Sequence, residues 1–181
     1  MSTPHLSRTV VATAALATVG ALALGGSAAP AGPAASAAAP KRITSTGVGK
    51  VRLGKTHGQL RAAGAVGPIR PGCELGGPDT RSARLKAPLK GSVNYSLNAP
   101  RKVRDIQVTG GARARGVRIG ATIPEIKDAF PKAKVNRDTE ETFGITLVRI
   151  PRDGGGRLAF AVDVDTDEVV VIGIPRLAFC E

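Results

Sequence analysis

The sequence predicts an α+β fold of two tandem units, each a short capped helix packed on an antiparallel β-sheet. Three observations carry the prediction. A pattern that begins at Gly49 returns 66 residues later, a Gly-x-Thr start announces a helix in each copy, and the second part of each copy alternates apolar and polar residues as strands do.

The chain opens with an expected address. Residues 1–9 carry one cation, Arg8, and Val10 to Leu24 run uncharged through small and aliphatic side chains, the order of a secretory signal. Such a run is shorter than the roughly 20 residues a helix needs to cross a bilayer. Residues 1–39 are therefore expected to be a signal peptide with an Ala/Pro-rich leader, followed by a first unit at 40–113 and a second at 114–181. The expected localisation is secreted, with no transmembrane segment after signal removal.

Within the units, Val51, Leu53, Gly54, Thr56, Leu60 and Ala63 fall opposite Val117, Ile119, Gly120, Thr122, Ile126 and Ala129. Thr56 with Gln59 and Thr122 with Glu125 have the spacing of a capping box, in which hydroxyl and third side chain satisfy each other's free backbone N–H. Leu60 and Ala63, and Ile126, Ala129 and Phe130, form an apolar stripe at helical spacing. Gly64 and Pro131 stop the helices. Next come strands: Val93, Tyr95 and Leu97 alternate with polar residues, as do Leu158, Phe160 and Val162. Val103, Ile106 and Val108 then match Val169, Ile172 and Ile174. An earlier strand reads clearly over 143–150 and only faintly around 84–87. Residues 64–80 read as a Gly/Pro-rich loop that needs pinning.

Cys73 lies in that loop and Cys180 near the end of the chain. In an oxidising compartment two cysteines are most simply one disulfide, and closing so long a loop is worth about 4 to 5 kcal/mol in the chain-entropy account.

Charge is distributed unevenly. The chain carries a formal +12, and residues 41–113 hold 15 basic against 3 acidic side chains, whereas residues 114–181 hold 10 against 11. One Tyr, four Phe and no Trp leave an aliphatic core and weigh against stacking platforms for single-stranded nucleic acid or sugar rings. No nucleic-acid partner is expected.

Three motifs imitate chemistry. Gly49 to Thr56 satisfies the pattern of a nucleotide-binding P-loop, but its middle alternates apolar and basic like a strand, and the second copy has Ala121 in place of the lysine. Asp163, Asp165 and Asp167 have the opening spacing of a calcium loop but lack its glycine and its terminal Glu, so a polar hairpin tip is the plainer reading. His57 has no local nucleophile signature and is expected to be an exposed structural residue. No catalytic residue, metal or cofactor is expected.

With "RLGKT" at 52–56, "RIGAT" at 118–122 and the helix positions Leu60 and Ile126, the tandem resembles the secreted β-lactamase inhibitory protein superfamily and, more distantly, the small lipoproteins of outer-membrane barrel assembly. The resemblance implies helices packed on a multi-stranded antiparallel sheet whose concave face binds protein. The expected function is that of an exported non-enzymatic protein that binds a macromolecular partner in the manner of an inhibitor module, through an apolar patch at Tyr95 and Leu97. The alternative is adhesion to an anionic cell-envelope polymer or lipid headgroups through the basic first unit. Candidate partner-binding residues are Tyr95, Arg52, Arg61, Arg84, Lys86, Arg101, Lys102 and Arg104.

Overall fold

Thr56 and Thr122 each open a helix through the reciprocal cap their spacing predicts. The N–H of Thr56 donates to Oε1 of Gln59 at 3.1 Å, and the N–H of Thr122 donates to Oε2 of Glu125 at 2.8 Å. The helices that follow are α1 (His57–Ala62) and α2 (Ile123–Ala129), and Gly64 and Pro131 lie just beyond their ends. The computed structural model describes residues 39–151 and 157–179. All but the last residue of the expected signal peptide and leader, and Cys180, lie outside the described residues.

The strands form two sheets. A small one joins β1 (Lys41–Thr44), β2 (Gly47–Val48), β3 (Val51–Arg52) and β8 (Ala112–Arg113) in the order β3-β2-β1-β8, with β1 and β8 parallel. The large sheet is antiparallel throughout. Its strands are β4 (Val66–Pro71), β5 (Arg81–Leu85), β6 (Lys90–Tyr95), β7 (Val103–Gly110), β9 (Lys134–Asn136), β10 (Ile145–Ile150), β11 (Leu158–Asp163) and β12 (Val169–Ile174). Their order is β4-β5-β6-β7-β12-β11-β10-β9. Each half of the chain therefore contributes a helix and a four-strand meander, and the meanders meet at β7 and β12.

The architecture is α+β with strand predominating. Alternation puts one ladder of apolar residues on the inner face, Ala83–Val93–Ile106–Ile174, and beside it a second, Val108–Ile172–Phe160–Val148–Val135. Leu60 of α1, Ile126 of α2, and Ile43, Val48 and Val51 of the small sheet complete the same core. Phe130 tilts against Phe160 with ring centroids 5.8 Å apart. Burying each such side chain contributes about 1.5 to 3 kcal/mol, so an aliphatic core suffices without tryptophan.

Several backbone contacts recur at a spacing of 66. Gly54 N–H donates to the Val103 carbonyl at 2.9 Å, and Gly120 N–H to that of Val169 at 2.9 Å; Val103 N–H reaches Lys55 at 2.8 Å, and Val169 N–H reaches Ala121 at 2.7 Å. Val48 pairs Val51, and Ala114 pairs Val117. Bulges leave Arg104 without a partner between Asn94–Asp105 and Tyr95–Val103, and Val170 without one between Ala161–Val171 and Val162–Val169. At the junction the pairs are Ile106–Ile174, Gln107–Gly173 and Val108–Ile172, a register that maps onto itself when the halves are exchanged.

Three local expectations are corrected, and a second sheet is added to them. The loop expected over 64–80 contains β4, whose Ile69, Arg70 and Pro71 pair Ala83, Ser82 and Arg81; Pro68 and Pro71 hide it because proline is tolerated only where no ladder donor is needed, as on this edge strand. The faint strand near 84–87 runs instead over Arg81–Leu85. Phe143 ends a short helix, α3 (Glu140–Phe143), and the strand begins only at Ile145, after Gly144 turns the chain at φ +61°. The alternation near Val51 and Val117 was too short to announce a second sheet, which needs β1 from outside the repeated pattern.

Candidate functional site

Two features of the outer face of the large sheet organise its chemistry: a cationic hollow at the end nearest β4 and a chain segment that crosses the middle. Along β5 and β6 the residues that alternate with the core are Ser82, Arg84, Ser92 and Asn94. Arg70 on β4 lies opposite Ser82, and Arg84 opposite Ser92. With Lys90 and the edges of Leu85 and Leu89 these residues line a hollow of about 540 Å³. Among the described residues, the side chains of Arg70, Arg84 and Lys90 take part in no hydrogen bond or ion pair, and no carboxylate lines the hollow. Ser82 Oγ donates to the Pro71 carbonyl at 3.0 Å, which ties the wall to the edge strand. Leu89 also borders a second hollow of about 280 Å³ that holds Lys41, Lys50 and Lys86.

In the middle of the face, residues 175–179 turn back over β7 and β12. Gln107 Nε2 donates to the Ala178 carbonyl at 2.6 Å, Phe179 stacks on Phe143 with centroids 4.9 Å apart, and Cys73 Sγ lies 3.8 Å from the Phe179 carbonyl. Asp105, with no exposed surface, accepts from Asn94 Nδ2 at 2.6 Å and sits between Arg104 Nε at 3.4 Å and Arg176 Nε at 3.9 Å. A buried carboxylate needs such partners, and Arg176 ties the segment to it. A Cβ on Gly173 would come within 2.4 Å of the Arg176 carbonyl, so the turn requires glycine.

The eight candidate residues are dispersed. Arg84 and Lys86 border the two hollows that meet at Leu89. Arg104 flanks Asp105, Arg101 donates to the Asp79 carbonyl at 3.2 Å, and Lys102 is exposed at the β6–β7 turn. Arg52, on the small sheet, is half-buried, and Arg61 stands exposed on α1. Tyr95 is a correction: with 2% exposure it packs in the core edge-on to His57, its ring cannot anchor a partner, and the expected patch is reduced to Leu97. The alternation that singled it out is equally the signature of an inward-facing position. Burial pushes its phenol up to about 12, and among the described residues its hydroxyl has no hydrogen-bond partner. His57 is likewise not free at the surface, since Nε2 lies 3.1 Å from the Gly67 carbonyl and joins α1 to β4. Arg70 and Lys90 were missed, one because β4 looked like a loop and the other because a single lysine at a strand start carries no signal.

The imitative motifs have structural roles. In Gly49–Thr56 the Gly54 N–H and the Lys55 carbonyl bond Val103, and Thr56 caps α1, so those groups serve the fold. Asp163 Oδ1 accepts from the N–H groups of Asp165 and Thr166 and from the Thr166 hydroxyl, which lowers its pKa and closes the hairpin tip. Glu125 is lowered in the same way, by Thr122. Among the described residues no His/Cys/Asp/Glu group has the arrangement of a metal site, and no helix is long and apolar enough to cross a membrane. Comparison of the chain with family models, with curated proteins and with solved structures found no match in any of the three.

Proposed function

We propose that this is an exported, non-enzymatic binding protein whose partner is an anionic macromolecule of the cell envelope, held by the outer face of the first half. One observation carries the reading: Arg70, Arg84 and Lys90 converge on one hollow with no carboxylate in its lining and, among the described residues, no partner for their charges. Unpaired cations in a concavity raise the local potential and attract anions at long range. The inhibitor-like alternative is less well supported, because residues 175–179 occupy the middle of the sheet face that a protein partner would need, and Tyr95 is buried.

Two further readings belong to this proposal. The halves are copies of one unit, supported by the hydrogen bonds, bulges and junction register that repeat at a spacing of 66. Cys73 pairs with Cys180, supported by the approach of Cys73 Sγ to the carbonyl of Phe179, the residue before Cys180; peptide mapping without reduction that recovers either cysteine as a free thiol rules this out.

Retention of the mature chain on cell-wall fragments across a salt series tests the function. Binding falls steeply with salt and is weakened by Arg84→Glu but not by Lys127→Glu on α2, an exposed cation of the other half. Salt-independent retention, or equal loss in both variants, overturns the reading.

A further inference from the structure

We infer that the partner is a linear phosphodiester polymer running diagonally across β4, β5 and β6, with successive phosphates at Arg70, Arg84 and Lys90. This deepens the proposed function and rests on it. The geometry begins with register. Arg70 is opposite Ser82, Arg84 is two positions further along β5 and opposite Ser92, and Lys90 is two positions from Ser92 on β6. Each cation is thus a diagonal neighbour of the next, a separation of about 7 to 8 Å at the backbone ends of the side chains. The backbone positions of the three cations form an oblique line along one side of the hollow.

That spacing suits a repeating chain of phosphates. A poly(glycerol phosphate) chain separates successive phosphorus atoms by six bonds, an extended reach of about 7 Å at ordinary bond lengths, which matches the interval between the backbone ends of these side chains. Guanidinium forks suit phosphate oxygens, so Arg70 and Arg84 can each hold one in bidentate fashion and Lys90 supplies a point charge. The Ser92 hydroxyl, on the same face, offers a neutral donor between two charged stations. A strand ladder holds these stations at fixed intervals, which favours a repeating chain over a single headgroup.

Calorimetric titration tests this with a short poly(glycerol phosphate), with monomeric glycerol phosphate and inorganic phosphate, and with phosphatidylglycerol vesicles. The polymer is expected to bind at least tenfold more tightly per phosphate than the monomer, with log K falling against log salt at a slope of about −2, as three released counterions imply for a single strand. Arg70→Gln, Arg84→Gln and Lys90→Gln each reduce that slope by about 0.7, while Lys127→Gln leaves it unchanged. Unaltered thermal melting shows that the variants are folded. Equal affinity per phosphate for polymer and monomer overturns the diagonal chain. Salt-sensitive vesicle binding that these variants abolish, without polymer binding, also overturns it and leaves the anionic-surface reading intact. No salt-dependent binding to any of the four probes overturns the phosphodiester chain, and the retention on cell-wall fragments then decides the proposed function separately.

Discussion

Gln59 and Glu125 close the same reciprocal cap at equivalent places in the two halves, one neutral and one charged. The contrast extends over the outer face of the large sheet. In the first half that face is Ser82, Arg84, Ser92 and Asn94; in the second, Leu147, Ala159 and Ala161 are buried on it, and Arg149 and Lys134 stand exposed beside them. The backbone contacts 66 residues apart agree to within about 0.2 Å, while the residues outside the core are almost unrelated. Packing and hydrogen bonding constrain the inner face and the caps of both halves alike, because a lost core contact or an unsatisfied amide costs stability wherever it occurs. The outer face is held less uniformly and differs between the halves. One end is an open hollow lined by Arg70, Arg84 and Lys90; the other covers Leu147, Ala159 and Ala161, carries Arg149 and Lys134, and is bordered by residues 175–179.

The comparison can be broken most forcefully in the core. Phe160→Ala is expected to cost about 3 to 5 kcal/mol in chemical denaturation, because the ring has no exposed surface and supports Phe130. A loss below about 1 kcal/mol would mean that the second half is not packed as described. At the junction, Gly173→Ala drives a Cβ into the Arg176 carbonyl and should cost about 1 to 3 kcal/mol, with faster hydrogen exchange at residues 177–179. Its counterpart Gln107 carries a side chain, which donates to the Ala178 carbonyl of that same segment.

Tyr95 gives a smaller effect of opposite sign. Tyr95→Phe removes a buried hydroxyl without a partner and is expected to stabilise the protein by about 1 to 2 kcal/mol. Burial favours the neutral phenol, so its contribution to stability is complete below the ordinary pKa of about 10 and is lost as the pH rises towards about 12. Tyr95 is the single tyrosine, so tyrosinate absorbance reports on it alone. An ordinary midpoint in the folded protein would contradict its burial.

The caps give the smallest effects. Thr56→Ala and Thr122→Ala should each cost about 1 kcal/mol. Only the second cap should weaken in acid: Glu125 is held below its usual value, so its contribution is whole above the ordinary carboxylate range and fades as the pH falls through the lowered folded value. Glu125→Gln should remove this dependence and make the caps alike in thermal melts across pH.

Capped helices, alternating strands and the spacing of 66 were legible in the sequence because each depends on contacts within a few residues or on a repeated pattern. β4 was not, since Pro68 and Pro71 suit an edge strand whose partner must be known first. Tyr95 shows the same limit, because period-two alternation identifies two faces without saying which one is covered.

From the residues alone follow the capped helices, the uneven charge and the two alternating faces of the central strands, because these depend on backbone capping and side-chain periodicity. Only the tertiary structure decided that Arg70, Arg84 and Lys90 share a hollow, that Asp105 is buried between two arginines, and that residues 175–179 cross the sheet. Each of these depends on the register between strands and on chain segments remote in sequence, and neither is set by the neighbours of any one residue.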